Sequence, residues 1–122
     1  RHMGCAVLVV DDSAISRKMV IRSLPDNLRA DLTQAGNGQE ALAALRDRPR
    51  QLVLLDLNMP EMDGYQFLEA LQGGSLPTVV VLSGDIQPRA RERVLALGAR
   101  AFIKKPIDPS ALSAVLRECG LS

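Results

Sequence analysis

The sequence predicts an α/β domain of the (βα)5 kind, a doubly wound parallel five-stranded sheet with helices on both faces. Three observations predict it. Short apolar runs alternate with longer stretches of helical periodicity, the pattern of βα units. The runs are unbroken rather than alternating with polar residues, which suits strands covered on both faces. The chain has 122 residues, one domain of ordinary size, able to bury roughly two thirds of its unfolded surface without a metal or disulfide framework.

Each element has its own signal. Ala6 to Val10 is the first strand and ends at Asp11 and Asp12. Ser13 to Leu24 follows as a helix of loose periodicity. Asp31 to Ala35 mixes polar and apolar positions, as a strand at a sheet edge does, and Gly36-Asn37-Gly38 turns the chain. Ala41, Leu42 and Leu45 form the next helical stripe, Leu52 to Leu55 the next strand, and Phe67, Leu68 and Leu71 another stripe. Val79 to Leu82 is a strand. Ala90, Val94 and Leu97 mark a helix stopped by Gly98. Ala101 to Ile103 is the fifth strand. In the last helix Leu112, Val115, Leu116 and Cys119 follow i, i+3, i+4, i+7 spacing, behind Asp108 as a capping acid and Pro109 at the first helical position. Five strands and five helices, with no linker, repeat, low-complexity stretch or second domain, give a flavodoxin-like strand order of 2-1-3-4-5.

Composition narrows the function classes. Hydrophobic residues make up 47% and charged residues 24%, a globular balance. Fifteen basic against 14 acidic residues leave a formal charge of +1, which argues against a nucleic-acid binder. Tyr65, Phe67 and Phe102, the only aromatics, give no stacking platform for single strands. Cys5 and Cys119 form no CxxC pair and have no His cluster, so reduced thiols in a cytoplasmic protein are expected. No apolar run approaches the ~20 residues of a membrane span, and no signal peptide is evident. Arg1-His2-Met3 reads as a remnant of recombinant expression, which sets aside His2, the only histidine, and leaves residues 4–122 as a single domain.

The chemistry lies at the strand ends, which share one edge of a parallel sheet, where doubly wound folds bind ligands. Asp56 follows Leu52-Val53-Leu54-Leu55, Asp11 and Asp12 follow the first strand, Ser83 ends the fourth, and Lys105-Pro106 ends the fifth. Singly, each has a plain reading: an acid after a strand caps a helix or forms a turn, a lysine is solvated, a serine sits in a turn, and Phe102 is core. Together they converge. Three close carboxylates require a proton or a cation. With no His or Cys at hand the cation should be hard and oxygen-ligated, and Mg²⁺ fits best, since it takes one or two carboxylates, keeps waters and accepts a phosphate oxygen. Mg²⁺ with a lysine suits phosphoryl chemistry, and Asp56 is the candidate acceptor, able to form an aspartyl phosphate. Ser83, followed by Gly84, is placed to hydrogen-bond a phosphoryl oxygen. Because only about 5–6% of prolyl bonds in folded proteins are cis, composition alone argues against a cis peptide before Pro106.

These residues resemble the receiver domain of two-component response regulators, the CheY-like family, from Ala6 to Leu116. The matching pieces are Val9-Val10-Asp11-Asp12-Ser13, the run Leu54 to Gly64 (LLDLNMPEMDG), Leu82-Ser83-Gly84, Gly98-Ala99 and Phe102-Ile103-Lys104-Lys105-Pro106. Their ordered spacing is specific. The resemblance implies a bacterial, cytoplasmic phosphoacceptor domain that is not an enzyme beyond its own phosphorylation and dephosphorylation. Asp56 would take a phosphoryl group from phosphohistidine on a histidine kinase or phosphotransfer protein. Asp12 and Asp56 would bind Mg²⁺ with the backbone carbonyl of Asn58, Asp11 acting mainly through a water. Lys105 would contact the phosphoryl group, the peptide before Pro106 would be cis, and Ser83 and Phe102 would be the switch pair. Their motion would remodel the fourth helix, fifth strand and fifth helix, the face used for an output partner or fused output domain.

Ser83 stands where threonine is also common and Phe102 where tyrosine often stands, so no aromatic hydroxyl is offered to a partner. Asn58 and Asp85, two residues beyond the acceptor and the switch hydroxyl, are small and polar, which implies fairly fast self-dephosphorylation. The stretch Ser83 to Pro88 is similar to receivers fused to chemotaxis-type phosphatase domains. Arg89, Arg91, Arg93 and Arg100 read as a solvated face, with a partner patch as the alternative. Two rivals differ in class. A phosphohydrolase of the haloacid dehalogenase kind needs a second acid where Asn58 stands, and a phosphorylation-independent module would lack an acid or the lysine, all of which are present.

Overall fold

A computed structural model of the chain describes residues 5–57, 59, 62–74, 76–84 and 88–121. The elements run β1 (Val7–Val10), α1 (Ala14–Ser23), β2 (Leu32–Ala35), α2 (Gly38–Asp47), β3 (Leu52–Asp56), α3 (Gly64–Ala70), β4 (Thr78–Ser83), α4 (Pro88–Ala96), β5 (Ala101–Lys104) and α5 (Pro109–Glu118). A 3-10 turn at Asp26–Leu28, absent from the sequence reading, links α1 to β2 and buries Leu28. All five strands are parallel, in the order β2-β1-β3-β4-β5, the expected flavodoxin-like topology.

The apolar runs fill both faces of the sheet. Leu8, Val10, Val53, Leu55, Val79 and Val81 pack under α2, α3 and α4 around Phe67. Val7, Val9, Leu52, Leu54, Val80 and Leu82 pack under α1 and α5 against Val20, Leu112 and Leu116. Each leucine so buried contributes roughly 1.5–3 kcal/mol of transfer free energy. Asp108 caps α5 with Pro109 at its start, as expected, and Ser13, Asn37 and Asp63, which the sequence reading did not mark as caps, likewise each accept a backbone N–H in the first turn of their helices. The weak periodicity of α1 also has a cause. Val20 alone is buried within it, while Ile15 and Met19 are 73% and 57% exposed.

Two glycines fix close approaches. Gly98 follows α4 at φ +105, where an added Cβ would meet Leu76 Cδ1 at 2.8 Å. Gly64 opens α3 beside the residue that follows Asp56: its N–H donates to the Leu57 carbonyl at 3.0 Å, and a Cβ there would lie 2.8 Å from Leu57 Cα. α3 and α4 are also tied side to side. Gln72 Nε2 donates to the carbonyls of Leu97 at 2.6 Å and Leu68 at 3.1 Å, and the Arg93 guanidinium lies 3.9 Å from the Tyr65 ring centroid. Arg89, Arg91, Arg93 and Arg100 are all exposed, as a solvated face requires. Cys5 and Cys119 are free, half-buried thiols. Among the described residues no helix is long and apolar enough to cross a membrane.

Candidate functional site

Parallel register places the strand ends together. Val10 pairs with Leu55, so Asp11 and Asp56 leave neighbouring strands side by side, while Asp56 pairs with Leu82 and Ser83 with Lys104. One residue beyond β5, the Lys105 N–H donates to the Ser83 carbonyl at 2.8 Å, tying the lysine loop to the end of β4. The Lys105–Pro106 peptide is cis, as the family resemblance implied and composition alone did not.

Carboxylate oxygens of Asp11, Asp12 and Asp56 all lie within 4.8 Å of one another. Asp11 and Asp56 are buried and Asp12 is exposed. The Lys105 ammonium lies 3.0 Å from Asp11 Oδ2 and 3.2 Å from Asp56 Oδ1. Asp11 Oδ1 accepts the Ser13 N–H at 2.9 Å, and Oδ2 also accepts the Ser16 hydroxyl. Arg17 Nη1 donates to the Asp11 carbonyl at 2.6 Å, and Arg17 Nε to Gln34 Oε1 at 2.8 Å, bracing the first loop against β2. Neither Ser16 nor Arg17 stood out in the sequence. The signal that marks Ser16 is positional: it lies one helical turn beyond the capping Ser13, on the side of the helix start that faces Asp11.

The acids diverge in their protonation. Burial pushes the Asp56 carboxyl above its ordinary range; Lys105 opposes this, and the charges of Asp11 and Asp12 reinforce it. Burial acts on Asp11 in the same sense, but the Ser16 hydroxyl, the Ser13 amide and Lys105 outweigh it and hold Asp11 below the ordinary range. Burial disfavours the Lys105 ammonium, yet bonds and charge from Asp11 and Asp56 outweigh that and raise it. An all-oxygen donor set with excess negative charge suits a hard divalent cation, and Mg²⁺ fits it.

Ser83 is fully buried. Phe102 is half-buried against the core under α2, α3 and α4, and pairs with Val81, two residues before Ser83. Phe102 and Ser83 thus share one face of the sheet. Asn58 and Asp85 lie outside the described residues.

Fold and site together define a doubly wound domain with an acid and lysine cluster at the carboxyl edge of its sheet. The chain belongs to the response regulator receiver domain family, whose profile matches residues 7–117. It is 40% identical over 119 residues to a protein-glutamate methylesterase/protein-glutamine glutaminase of Moorella thermoacetica, covering 92% of this chain and 27% of that protein. It is 29% identical over 113 residues to a probable chemotaxis protein CheY of Rhizobium etli, covering 90% of this chain and 88% of that one. The solved chemotaxis protein CheY4 of Vibrio cholerae superposes with a TM-score of 0.83 at 28% identity, over 95% of this chain and 98% of that one. The chain spans about a quarter to a third of the length of several methylesterase relatives it matches. It is a receiver domain of the two-component kind.

Proposed function

We propose that this domain is a phosphorylation-activated switch in which Asp56 accepts a phosphoryl group from phosphohistidine on a histidine kinase or phosphotransfer protein. The observation that carries this reading is Lys105 Nζ at 3.2 Å from Asp56 Oδ1, inside a cluster of three acids. An Asp56 carboxylate oxygen attacks phosphorus, the O–P bond forms, and the P–N bond breaks with its electron pair returning to the imidazole. Lys105 balances charge on the phosphoryl oxygens. Mg²⁺, when held by Asp12, Asp56 and the Asn58 carbonyl with Asp11 acting through a water, neutralises the remaining charge. Ser83 then hydrogen-bonds the phosphoryl group and Phe102 turns inward, remodelling the face of α4, β5 and α5 for an output partner or a fused output domain. The methylesterase relatives support a fused output domain, and the CheY relatives support docking by the domain alone.

The partner's histidine has a place to approach. Beside Lys105 and Pro106 runs a groove lined by Met19, Val20 and Ile107, with the exposed Ile15 on the same helix. Asn58 and Asp85 are small and polar residue types, and fairly fast self-dephosphorylation is part of this reading. So is a cytoplasmic location, as expected of a receiver domain.

The test is intact mass after incubation with Mg²⁺ and acetyl phosphate, for the native chain and Asp56→Asn. One added phosphoryl group on the native chain alone is expected. Equal gain on both would move the acceptor elsewhere, and no gain on either, with Mg²⁺ bound, would favour a phosphorylation-independent module.

A further inference from the structure

We propose that Ser16 is a positioning residue for this site, a latch whose hydroxyl holds Asp11 and Lys105 in the resting arrangement and competes with Mg²⁺ for them. The inference rests on the reading of the acid cluster as a Mg²⁺ and phosphoryl site, and adds to it a residue of α1 that is neither an acid nor the lysine.

A serine inside a helix can return its hydroxyl to the carbonyl four residues back, as Ser23 does to Met19 at 2.9 Å. Ser16 stands in the first turn of α1, where the residue four back, Asp12, precedes the helix, so its hydroxyl reaches the site instead. Its Oγ donates to Asp11 Oδ2 at 2.5 Å and accepts from Lys105 Nζ at 3.0 Å. Nor does it cap the helix, because Ser13 Oγ already accepts the Ser16 N–H at 3.2 Å. The half-buried hydroxyl is therefore committed wholly to the site.

The consequence appears when donors and acceptors are matched. An ammonium has three protons, and Lys105 faces three acceptors: Asp11 at 3.0 Å, Asp56 at 3.2 Å and Ser16 at 3.0 Å. Asp11 is equally engaged, with Oδ1 on the Ser13 amide and Oδ2 on both Ser16 and Lys105. The ammonium has no proton to spare, and Oδ2 of Asp11 has both lone pairs engaged. For Lys105 to turn a proton toward a phosphoryl oxygen it must loosen a bond it now makes, and a metal-bound water that approaches Asp11 Oδ2 must displace Ser16 or Lys105 from it. Ser16 is bonded to both and is the only uncharged side chain of the triangle, so it sets how firmly the resting arrangement holds without adding charge.

The experiment is a Mg²⁺ titration of the native chain, Ser16→Ala and Ser16→Thr, followed by amide NMR shifts, with thermal unfolding of each in EDTA. Alanine is a good helix former, so Ser16→Ala is expected to fold. Losing the hydroxyl's two hydrogen bonds to charged groups from the resting state should tighten Mg²⁺ binding by roughly tenfold or more. Ser16→Thr, which keeps the hydroxyl, should stay within about twofold of the native chain. Unchanged or weaker binding by Ser16→Ala would overturn the latch, as would a Ser16→Thr variant that behaves like Ser16→Ala. If the native chain binds no Mg²⁺, the reading of the site itself fails and the latch fails with it. If the native chain binds Mg²⁺ and Ser16→Ala binds no better, the site stands and only the latch falls.

Discussion

The two edges of the sheet carry charge in opposite ways. At the edge where the strands begin, polar groups are met by complementary partners, with one exception. Val7 N–H donates to the Asp31 carbonyl at 2.9 Å, Gln51 N–H to the Ala6 carbonyl at 2.9 Å and Thr78 N–H to the Gln51 carbonyl at 3.1 Å. Gln51 Oε1 accepts the Ala6 N–H at 2.7 Å, and Arg48 pairs with Asp31. Arg50, though buried, gives Nη1 to Thr33 Oγ1 at 2.7 Å and Nη2 to the Ala44 carbonyl at 3.3 Å; only its Nε lacks a partner among the described residues. At the edge where the strands end, three carboxylates crowd one ammonium. Crowding like charges costs stability, and a fold retains such a cluster when a ligand relieves it. The first edge holds the sheet together, and the second is held ready for a ligand.

Four changes test that contrast, taken from the largest effect to the smallest. Lys105→Ala should slow phosphoryl uptake from acetyl phosphate by about 10² to 10³-fold, the usual cost of removing one preorganised charge at a transition state, while leaving the fold intact by circular dichroism. Uptake within a few-fold of the native rate would break the assignment of this edge. Arg50→Ala should do the reverse. It removes the Thr33 hydroxyl's partner, takes one of two donors from the Ala44 carbonyl, which keeps the Arg48 N–H, and opens a void, so urea denaturation should show a loss of about 1–3 kcal/mol with Mg²⁺ affinity and phosphoryl uptake unaltered.

Asp56→Asn should stabilise the metal-free fold at neutral pH by roughly 1 kcal/mol, since asparagine removes a charge that burial and the neighbouring acids oppose. The sign follows from the raised carboxyl. As pH falls through that raised value, native Asp56 takes up its proton and the gap between the two chains closes; a gap that widens in acid would contradict it. Asp31→Asn should give a small loss of the opposite sign. Hydrogen bonding to Arg48 holds Asp31 low, so its contribution is present above the ordinary carboxylate range and disappears as pH falls through the lowered value. Matched urea midpoints across the acid range would show the two deficits converging from opposite sides.

The sequence revealed the three central strands because their runs, Val7–Val10, Leu52–Leu55 and Val79–Leu82, are buried on both faces and leave no polar interruption, and it revealed the edge strand β5 from the shorter apolar run Ala101–Ile103. It revealed the acids and lysine because each follows such a run directly. It understated α1, since a helix that buries Val20 and exposes Ile15 and Met19 has little periodicity to show. It was silent on Arg50 and Ser16 for different reasons. A charged residue just before a strand reads as loop, and only the packing of α2 beside β2 gives Arg50 its acceptors. Ser16 acquires its role from Lys105, which is distant in the chain and adjacent only once β5 joins the sheet.

Gly64 carries a consequence for how this sequence can drift. It bonds to neither the acid side chains nor the lysine, yet any side chain there would press on the Leu57 backbone and the Asp56 carbonyl and lift α3 from the end of β3. In a saturation library screened for phosphoryl uptake, position 64 should therefore be as unforgiving as Asp56 itself, whereas Gly84, with open space where a Cβ would stand, should tolerate alanine.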